Sequence, residues 1–401
     1  MSASLYTIAS ANIALQEAQI GNLEQQIGTG YAVQTPSQNP SAFEAATVAQ
    51  NQISALSTDN QTQATVQSKL SSVSNTYGAV STLYNSVQSV LEQALNGTTS
   101  TQNLQTLSTQ VGSQAQQLLG LANTTAPDGT FLFGGSRNTI MPFQSNANGA
   151  VVYMGDSGQS AASITPDTTS ATLADGSAFT NALAGNGYSV IAAGAGNTGT
   201  ATLAATGVVL ASSAAAFQSG SSAITLSFAQ GAGGLTYTAS QNGSTIATGN
   251  APAGATLQLA GQNFQLSGTP TAGDSFTISP SRPQTAFDLM QNITQTLAGV
   301  ADTPASKAQT TQALTNDLAT LAQYQQSLLT AQAQNGVTLQ AITNAGVSNT
   351  NQQTTLQSSL QNAVGTNMPQ AMTQLNQTLT AVQAAEKAFT AVQGLSLFKY
   401  L

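Results

Sequence analysis

A run of regularly spaced apolar residues places the strongest constraint on how this chain folds. Between Val66 and Leu91 these residues alternate in steps of four and three positions without a miss. Such spacing is typical of an α-helix that packs against a partner helix along a narrow seam. The members of this rod seam are Val66, Leu70, Val73, Tyr77, Val80, Tyr84, Val87 and Leu91. We therefore predict one long helix from Pro40 to near Asn96, together with helices that cover its seam.

Glycine separates these helical flanks from a middle segment of different character. Of 35 glycines, 23 lie between Asp128 and Pro280, where short apolar runs alternate with Gly, Asn-Gly and Asp-Gly turns. This pattern is typical of strands joined by tight turns. The strands predicted from it span residues 151–153, 223–228, 235–238, 256–259, 263–266 and 275–278, with one short helix near 211–218.

Helical patterns also stand before and after these two regions. The first helix is expected to end at Gly28-Thr29-Gly30, where glycine permits the left-handed conformation. After the middle segment, Thr285 and Asp288 have the spacing of a capping box, and Thr303-Pro304 starts another helix. The last helix carries an apolar stripe that consists of Met368, Met372, Leu375, Leu379, Val382 and Phe389.

These patterns predict an α+β fold, a long coiled-coil-like helical bundle formed by both termini with an inserted all-β domain. We expect three domains. Residues 1–35 with 355–401 form a terminal helical core layer, and residues 36–130 with 284–354 form a helical rod. Residues 131–283 form the inserted β-rich outer domain.

The composition excludes several classes of chemistry. The chain has no His and no Cys, so it holds no Ser–His–Asp triad, Cys nucleophile, zinc finger or iron–sulfur site. Six Lys and Arg residues are too few for a nucleic-acid footprint. We expect no enzyme, no cofactor, no metal site and no nucleic-acid partner. The acidic residues of the middle segment are predicted to lie on loop surfaces; they are Asp156, Asp167, Asp175 and Asp274.

The sequence shows no feature typical of a secretory signal peptide or a membrane-spanning helix. The residues after Met1 contain neither a basic stretch nor a continuous apolar stretch, which is unlike a secretory signal peptide. No run approaches the roughly 18–20 apolar residues of a membrane-spanning helix. We expect a chain without a membrane span that is either cytosolic or exported without a cleaved signal.

Four stretches together carry a resemblance to a known family. They are QIGTGYAVQTPSQNP at 26–40, DGTFLFGGS at 128–136 with Pro142-Phe143, GDSFTI at 273–278 with Phe287-Asp288, and GLSLFKYL at 394–401. In this order and spacing they resemble the hook-associated protein 3 family of the flagellin superfamily. The resemblance covers both helical flanks and the edges of the insertion.

The resemblance implies a structural component of the bacterial flagellum. Members of the family are adapters at the hook–filament junction onto which flagellin assembles. They are exported unfolded by the flagellar type III system, and their terminal helices fold on assembly. The implied location is extracellular, in the flagellum. The implied partners are further copies of the chain in a helical ring, another hook-associated junction protein, flagellin, and the flagellar export chaperone and export apparatus.

The terminal apolar residues are the expected assembly contacts, since stripes on isolated helices need a partner. These residues are Leu5, Ile8, Leu15, Leu375, Leu379, Val382, Phe389, Leu397 and Phe398. Two alternatives stay open, a flagellin-like filament subunit and, more distantly, a phage or adhesin fibre protein with coiled-coil stems.

A surface made polar by amides and hydroxyls titrates little, because its 14 carboxylates would neutralise only near a pKa of ~4. We therefore hypothesise that the protein serves a cell living in acid. A steep loss of thermal stability between neutral pH and pH 4 would contradict this hypothesis.

Overall fold

Helices flank a β-rich insertion in the computed structural model, which describes the backbone of residues 2–397 and the side chains of residues 7–391. The helices are α1 (Ser2–Thr29), α2 (Pro40–Ala94), α3 (Thr101–Ala122), α4 (Ser177–Thr180), α5 (Ala211–Ser219), α6 (Ala286–Ala298), α7 (Pro304–Val364) and α8 (Met368–Leu397). This order of elements confirms the predicted α+β class with helical termini and an inserted β-rich domain.

The insertion contains short strands. They are β1 (Phe143–Ser145), β2 (Val151–Tyr153), β3 (Ala161–Thr165), β4 (Thr168–Ala171), β5 (Ala182–Leu183), β6 (Ser189–Ala193), β7 (Thr202–Val208), β8 (Ile224–Gly231), β9 (Gly234–Gln241), β10 (Ser244–Asn250), β11 (Thr256–Leu259), β12 (Gln262–Ser267), β13 (Ser275–Pro280) and β14 (Pro283–Gln284). All six predicted strands and the predicted helix near 211–218 are present. Others such as β7 and β10 are rich in Ala, Thr and Gly, and their weak alternation of apolar and polar residues gave no signal.

The chain forms two compact units. The first contains residues up to 63, residues 163–168 and residues from 343 onward; the second contains residues 64–162 and 169–342. Helices α2 and α7 and the β3–β4 hairpin each belong partly to both units. The division into three domains given by the sequence stays a prediction.

In the second unit, the rod seam of α2 is buried, and no member exposes more than 3% of its surface. The core cluster that contains the seam from Val73 to Leu91 also contains apolar residues of α3, α6 and α7. Those of α6 and α7 are Leu289, Met290, Ile293, Leu297, Leu314, Leu321, Tyr324 and Leu328. The predicted capping box at the start of α6 is confirmed, since Thr285 and Asp288 each accept a hydrogen bond from the backbone of the other.

The two larger sheets of the second unit are antiparallel and share one apolar core. The larger sheet has the order β10-β9-β8-β13-β6, and the smaller has the order β11-β12-β7. Both contribute to a cluster that includes Phe228, Phe264 and Phe276, and Phe217 of α5 covers part of it. Alternation of buried and exposed residues along β8 and β12 is what makes these strands recognisable in the sequence.

One prediction for the acidic residues is wrong. Asp274 is only 2% exposed and does not lie on a loop surface. Its carboxylate accepts hydrogen bonds from the backbone N–H groups of Thr198 at 2.8 Å and Thr271 at 2.8 Å, and so joins two turns. Asp167 is exposed, whereas Asp156 and Asp175 are half-buried. A carboxylate with several backbone donors is stable in a buried position, which residue type alone does not reveal.

Hydroxyl side chains along the helices bond back to their own helix. In α7 eight hydroxyl groups donate to the carbonyl oxygen four residues earlier. The donors are Thr315, Thr320, Thr330, Thr338, Thr350, Thr354, Thr355 and Ser358. This local bonding is usual for Ser and Thr inside helices. The hydroxyl hydrogens of these eight residues are therefore already engaged within the helix.

Candidate assembly surfaces

Helices α1 and α8 pack along each other in the first unit. Along α8 the buried and half-buried residues are spaced by alternating steps of four and three positions. A set of buried and half-buried residues on α1 has the same spacing. We call these two sets the inner stripe. It consists of Ala9, Ile13, Gln16, Ile20, Leu23 and Ile27 on α1, and of Ala371, Leu375, Thr378, Val382, Ala385 and Phe389 on α8. This spacing is that of a two-helix coiled coil within one molecule.

Apolar residues beside the inner stripe are exposed. Ile8 and Leu15, one heptad apart on α1, expose 55% and 68% of their surface. Met372 and Leu379, one heptad apart on α8, expose 52% and 37%. We call these four residues the outer stripe. Large apolar side chains repeated along a helix mark a surface that binds another protein.

The structure divides the predicted assembly residues into two groups. Ile8, Leu15 and Leu379 belong to the outer stripe. Leu375, Val382 and Phe389 belong to the inner stripe, so the single apolar stripe predicted for the last helix is in fact two. A two-helix seam covers only a narrow line of positions and leaves the next position open, which explains the separation. The side chains of Leu5 and Leu397, and all of Phe398, lie outside the described residues.

A short backbone pairing joins the segment that follows α1 to the segment that precedes α8. Tyr31 and Gly365 form an antiparallel bridge. The N–H of Ala32 donates to the carbonyl of Val364 at 2.7 Å, and the N–H of Thr366 donates to the carbonyl of Gly30 at 2.9 Å. Gly30 has a φ of 76°, which confirms the left-handed end expected for the first helix. We call this bridge the joint.

The tip of the β3–β4 hairpin is clamped by two helices in the first unit. Ile164 is 3% exposed, and its carbonyl oxygen accepts hydrogen bonds from the side-chain amides of Gln63 on α2 and Asn349 on α7, the latter at 3.2 Å. Both amides are buried. Sequence reasoning missed this contact, although Pro166-Asp167 is a turn signal that could have located the hairpin.

Aromatic rings fix the start of the insertion to the helices of the second unit. Phe133 lies 5.4 Å from Tyr77 of α2 and 5.1 Å from Phe179 of α4, measured between ring centroids. Phe143 lies 5.2 Å from Phe287 of α6 and 5.5 Å from Phe179. Tilted and edge-on arrangements at these separations are favourable. The motif at 128–143 therefore has a structural role as an anchor.

Few charged side chains form ion pairs in the part of the chain that the structure describes. Among the described residues the ion pairs are Lys69–Asp128 and Lys307–Asp302, each 2.6 Å long. The hydrogen bond from Lys69 holds the pKa of Asp128 below its usual range, and bonds from Thr130 act in the same direction. In the described part of the chain, His, Cys, Asp and Glu do not gather into a group that could hold a metal ion. No helix described here has the length and apolar character needed to cross a membrane.

Known proteins resemble this chain in sequence and in fold. The bacterial flagellin N-terminal helical region matches residues 2–138. Flagellar hook-associated protein 3 of Salmonella typhimurium is 30% identical over 150 residues, which are 36% of this chain and 46% of that protein. The chain therefore aligns with less than half of this curated relative.

Solved structures cover more of the chain. Flagellar hook-associated protein 3 from Legionella pneumophila is 25% identical with a TM-score of 0.72 over 80% of this chain and 98% of that one. FlgL from Xanthomonas campestris is 26% identical with a TM-score of 0.68 over 77% of this chain and 97% of that one. The helical flanks and the insertion thus have counterparts in known folds.

Proposed function

We propose that this chain, a flagellin-superfamily protein of the hook-associated protein 3 type, is a structural adapter at the hook–filament junction of the bacterial flagellum. The observation that carries the proposal is the outer stripe. Ile8, Leu15, Met372 and Leu379 lie exposed on the two terminal helices, beside a seam that one molecule already satisfies. Further copies of the chain, or related subunits, are the natural cover for such residues.

The terminal helices suit folding on assembly. The inner stripe contains Ala9, Gln16, Thr378 and Ala385, which bury little apolar surface, so the helix pair is weakly held in one molecule. A neighbouring subunit that covers the outer stripe buries additional apolar surface and so stabilises the helix pair. A chain whose ends are marginally folded before assembly is also suited to export through a narrow channel by the flagellar type III system.

The partners follow from the same role. Copies of the chain form a helical ring through heterologous contacts, since α1 and α8 present different residues. Another hook-associated junction protein binds on the hook side, flagellin binds on the filament side, and an export chaperone and the export apparatus act beforehand. The location is extracellular, in the flagellum.

The test is a clean deletion, followed by electron microscopy of the cells and a flagellin immunoblot of the medium. A junction adapter predicts hooks without filaments and flagellin monomers in the medium, with recovery on complementation. Hooks with no flagellin in cells or medium would instead identify the filament subunit. Unchanged filaments and motility would identify a different fibre, such as a phage or adhesin fibre, and would overturn the proposal.

A further inference from the structure

A crevice of about 360 Å³ lies within the second unit, where β6 meets α6 and α7. Helix α7 contacts both β6 and β7 through amide side chains. Asn316 accepts from the N–H of Ile191 on β6 at 3.3 Å, and Gln312 accepts from the N–H of Leu203 on β7 at 2.7 Å. Asp317 follows Asn316 directly and lines the crevice. The volume is at the lower end of the range for small-molecule sites.

Asp317 is a buried carboxyl group without a partner. It exposes 9% of its surface, and its Oδ2 atom is buried with no hydrogen-bond donor. Buried carboxylates are normally paired with a cation or with several N–H donors, as Asp274 is in this molecule. The contrast between the two residues shows that Asp317 lacks a counter-ion.

Asp317 has no ion-pair partner among the residues that line the crevice. Its other lining residues are uncharged on every element; they are Ala184, Gln284, Val190, Ile191, Ala192 and Ala193, then Asn292, Gln295 and Thr296 of α6, and Gln309, Gln312, Ala313, Asn316 and Thr320 of α7. Lys307, the cation on α7, pairs with Asp302. Asp288 of α6 is engaged in its capping box. The walls of the crevice therefore supply no counter-charge to the ionised form of Asp317.

We propose that the crevice beside Asp317 binds a small organic cation, a primary ammonium group on a short alkyl chain. An ammonium group carries three donors and no acceptor, which suits the carboxylate oxygen of Asp317 that has no donor within the molecule. The walls also include Val190, Ala193 and Ala313, which are apolar and suit an alkyl chain. Nothing in the proposed junction role requires this site.

Binding of the cation is coupled to a proton. Burial raises the pKa of the empty Asp317 carboxyl to about 7, so near neutral pH the group is partly protonated. The cation binds the ionised form and excludes the proton. Affinity should therefore rise with pH up to about 8 and then level off. Between pH 8 and pH 5.5 the ionised fraction changes by about thirtyfold for such a pKa.

The experiment is isothermal titration of the purified full-length chain with n-butylammonium chloride at pH 8.0 and pH 5.5. We expect saturable binding at pH 8.0 and an affinity weaker by about thirtyfold at pH 5.5. Asp317→Asn, which keeps the shape of the side chain, should weaken binding at pH 8.0 by tenfold or more. Asp167→Asn removes the same charge from an exposed position and should leave the affinity unchanged.

Two further measurements keep the test decisive. Ala313→Leu should block the crevice and abolish binding without altering any charge, and circular dichroism checks that each variant is folded. n-Butanol, which has the alkyl chain without the charge, should not bind. No saturable binding of n-butylammonium at pH 8.0, or equal affinity in the native chain and Asp317→Asn, would overturn the proposal.

Discussion

The buried carboxyl group of Asp317 makes the stability of the folded protein depend on pH. For Asp317, burial raises the pKa in the folded protein to about 7, against an unfolded value of about 3.9. The folded state therefore binds the proton more tightly than the unfolded state. The resulting stability is fully present below about pH 4 and is lost as the pH rises through about 7.

Asp317 should therefore make the protein more stable at pH 5 than at pH 8, by a few kcal/mol at most. Thermal unfolding followed by circular dichroism should show a lower melting temperature at pH 8 in the native chain. In Asp317→Asn this difference should largely disappear. Parallel curves for the two proteins across this range would contradict the assignment.

Three other carboxyl groups affect the stability of the protein at lower pH than Asp317 does. Hydrogen bonds lower the pKa of Asp128, Asp156 and Asp302, mainly from Lys69, Ser136 and Lys307 respectively. Their contributions are constant above pH 5 and are lost as the pH falls through the lowered values. Asp317 thus acts in the direction that the acid hypothesis needs, whereas these three groups contribute almost no change between neutral pH and pH 5.

Tyr84 and Tyr324 provide a matched pair of hydroxyl groups, with ring centroids 6.1 Å apart. The hydroxyl of Tyr84 is buried and has no partner, whereas that of Tyr324 donates to the carbonyl of Gln284. Tyr84→Phe should raise the free energy of unfolding by about 1 kcal/mol, and Tyr324→Phe should lower it by about as much. Urea unfolding of both variants measures this, and equal losses would contradict it.

At the scale of elements, the clamp on the β3–β4 hairpin depends on two side chains. Asn349→Ala removes the donor from α7 and leaves the Ile164 carbonyl with one buried partner. We expect a loss of about 1–3 kcal/mol in stability and faster amide exchange at residues 163–168. Asn351→Ala, at an exposed position of the same helix, is the control and should change neither quantity.

Sequence periodicity predicted the long elements well, because it reports which face of one element is buried. The rod seam from Val66 to Leu91 and the alternation in β8 and β12 are local signals of that kind. The clamp and the buried Asp274 depend on groups far apart in the chain, so no local pattern contained them.

The candidate site was only partly predictable for a related reason. Leu375 and Leu379 are four residues apart and lie within about 40° of each other around a helix of 3.6 residues per turn. Both therefore belong to one stripe when the sequence is read alone. Only the position of α1 decides that Leu375 is half-buried and Leu379 is exposed.

At the scale of the whole molecule, the outer stripe should matter for assembly and not for folding. Leu15→Gln with Leu379→Gln should change the melting temperature of the purified chain little, because exposed substitutions usually cost less than about 0.5 kcal/mol. The same double variant should fail to restore filaments in a deletion strain. Filament counts by electron microscopy measure the effect.

The control for this prediction changes exposed polar residues on the same helices. Asn22→Gln with Asn376→Gln should restore filaments fully. Val382→Gln, on the inner stripe, should instead lower the melting temperature of the single chain. Full filament recovery by the outer-stripe variant would show that these residues do not carry assembly.

The hydroxyl groups of α7 that donate to their own helix affect the energetic cost of contacts with neighbouring subunits. A hydroxyl hydrogen already bonded to its own helix is not left without an acceptor when another subunit covers it, so covering such a group costs less than covering a free donor. The residues between 176 and 273 carry no charged side chain, so screening by salt has almost nothing there to weaken. Contacts between such surfaces should hold equally well in dilute and in concentrated salt, an advantage in the extracellular location that we propose.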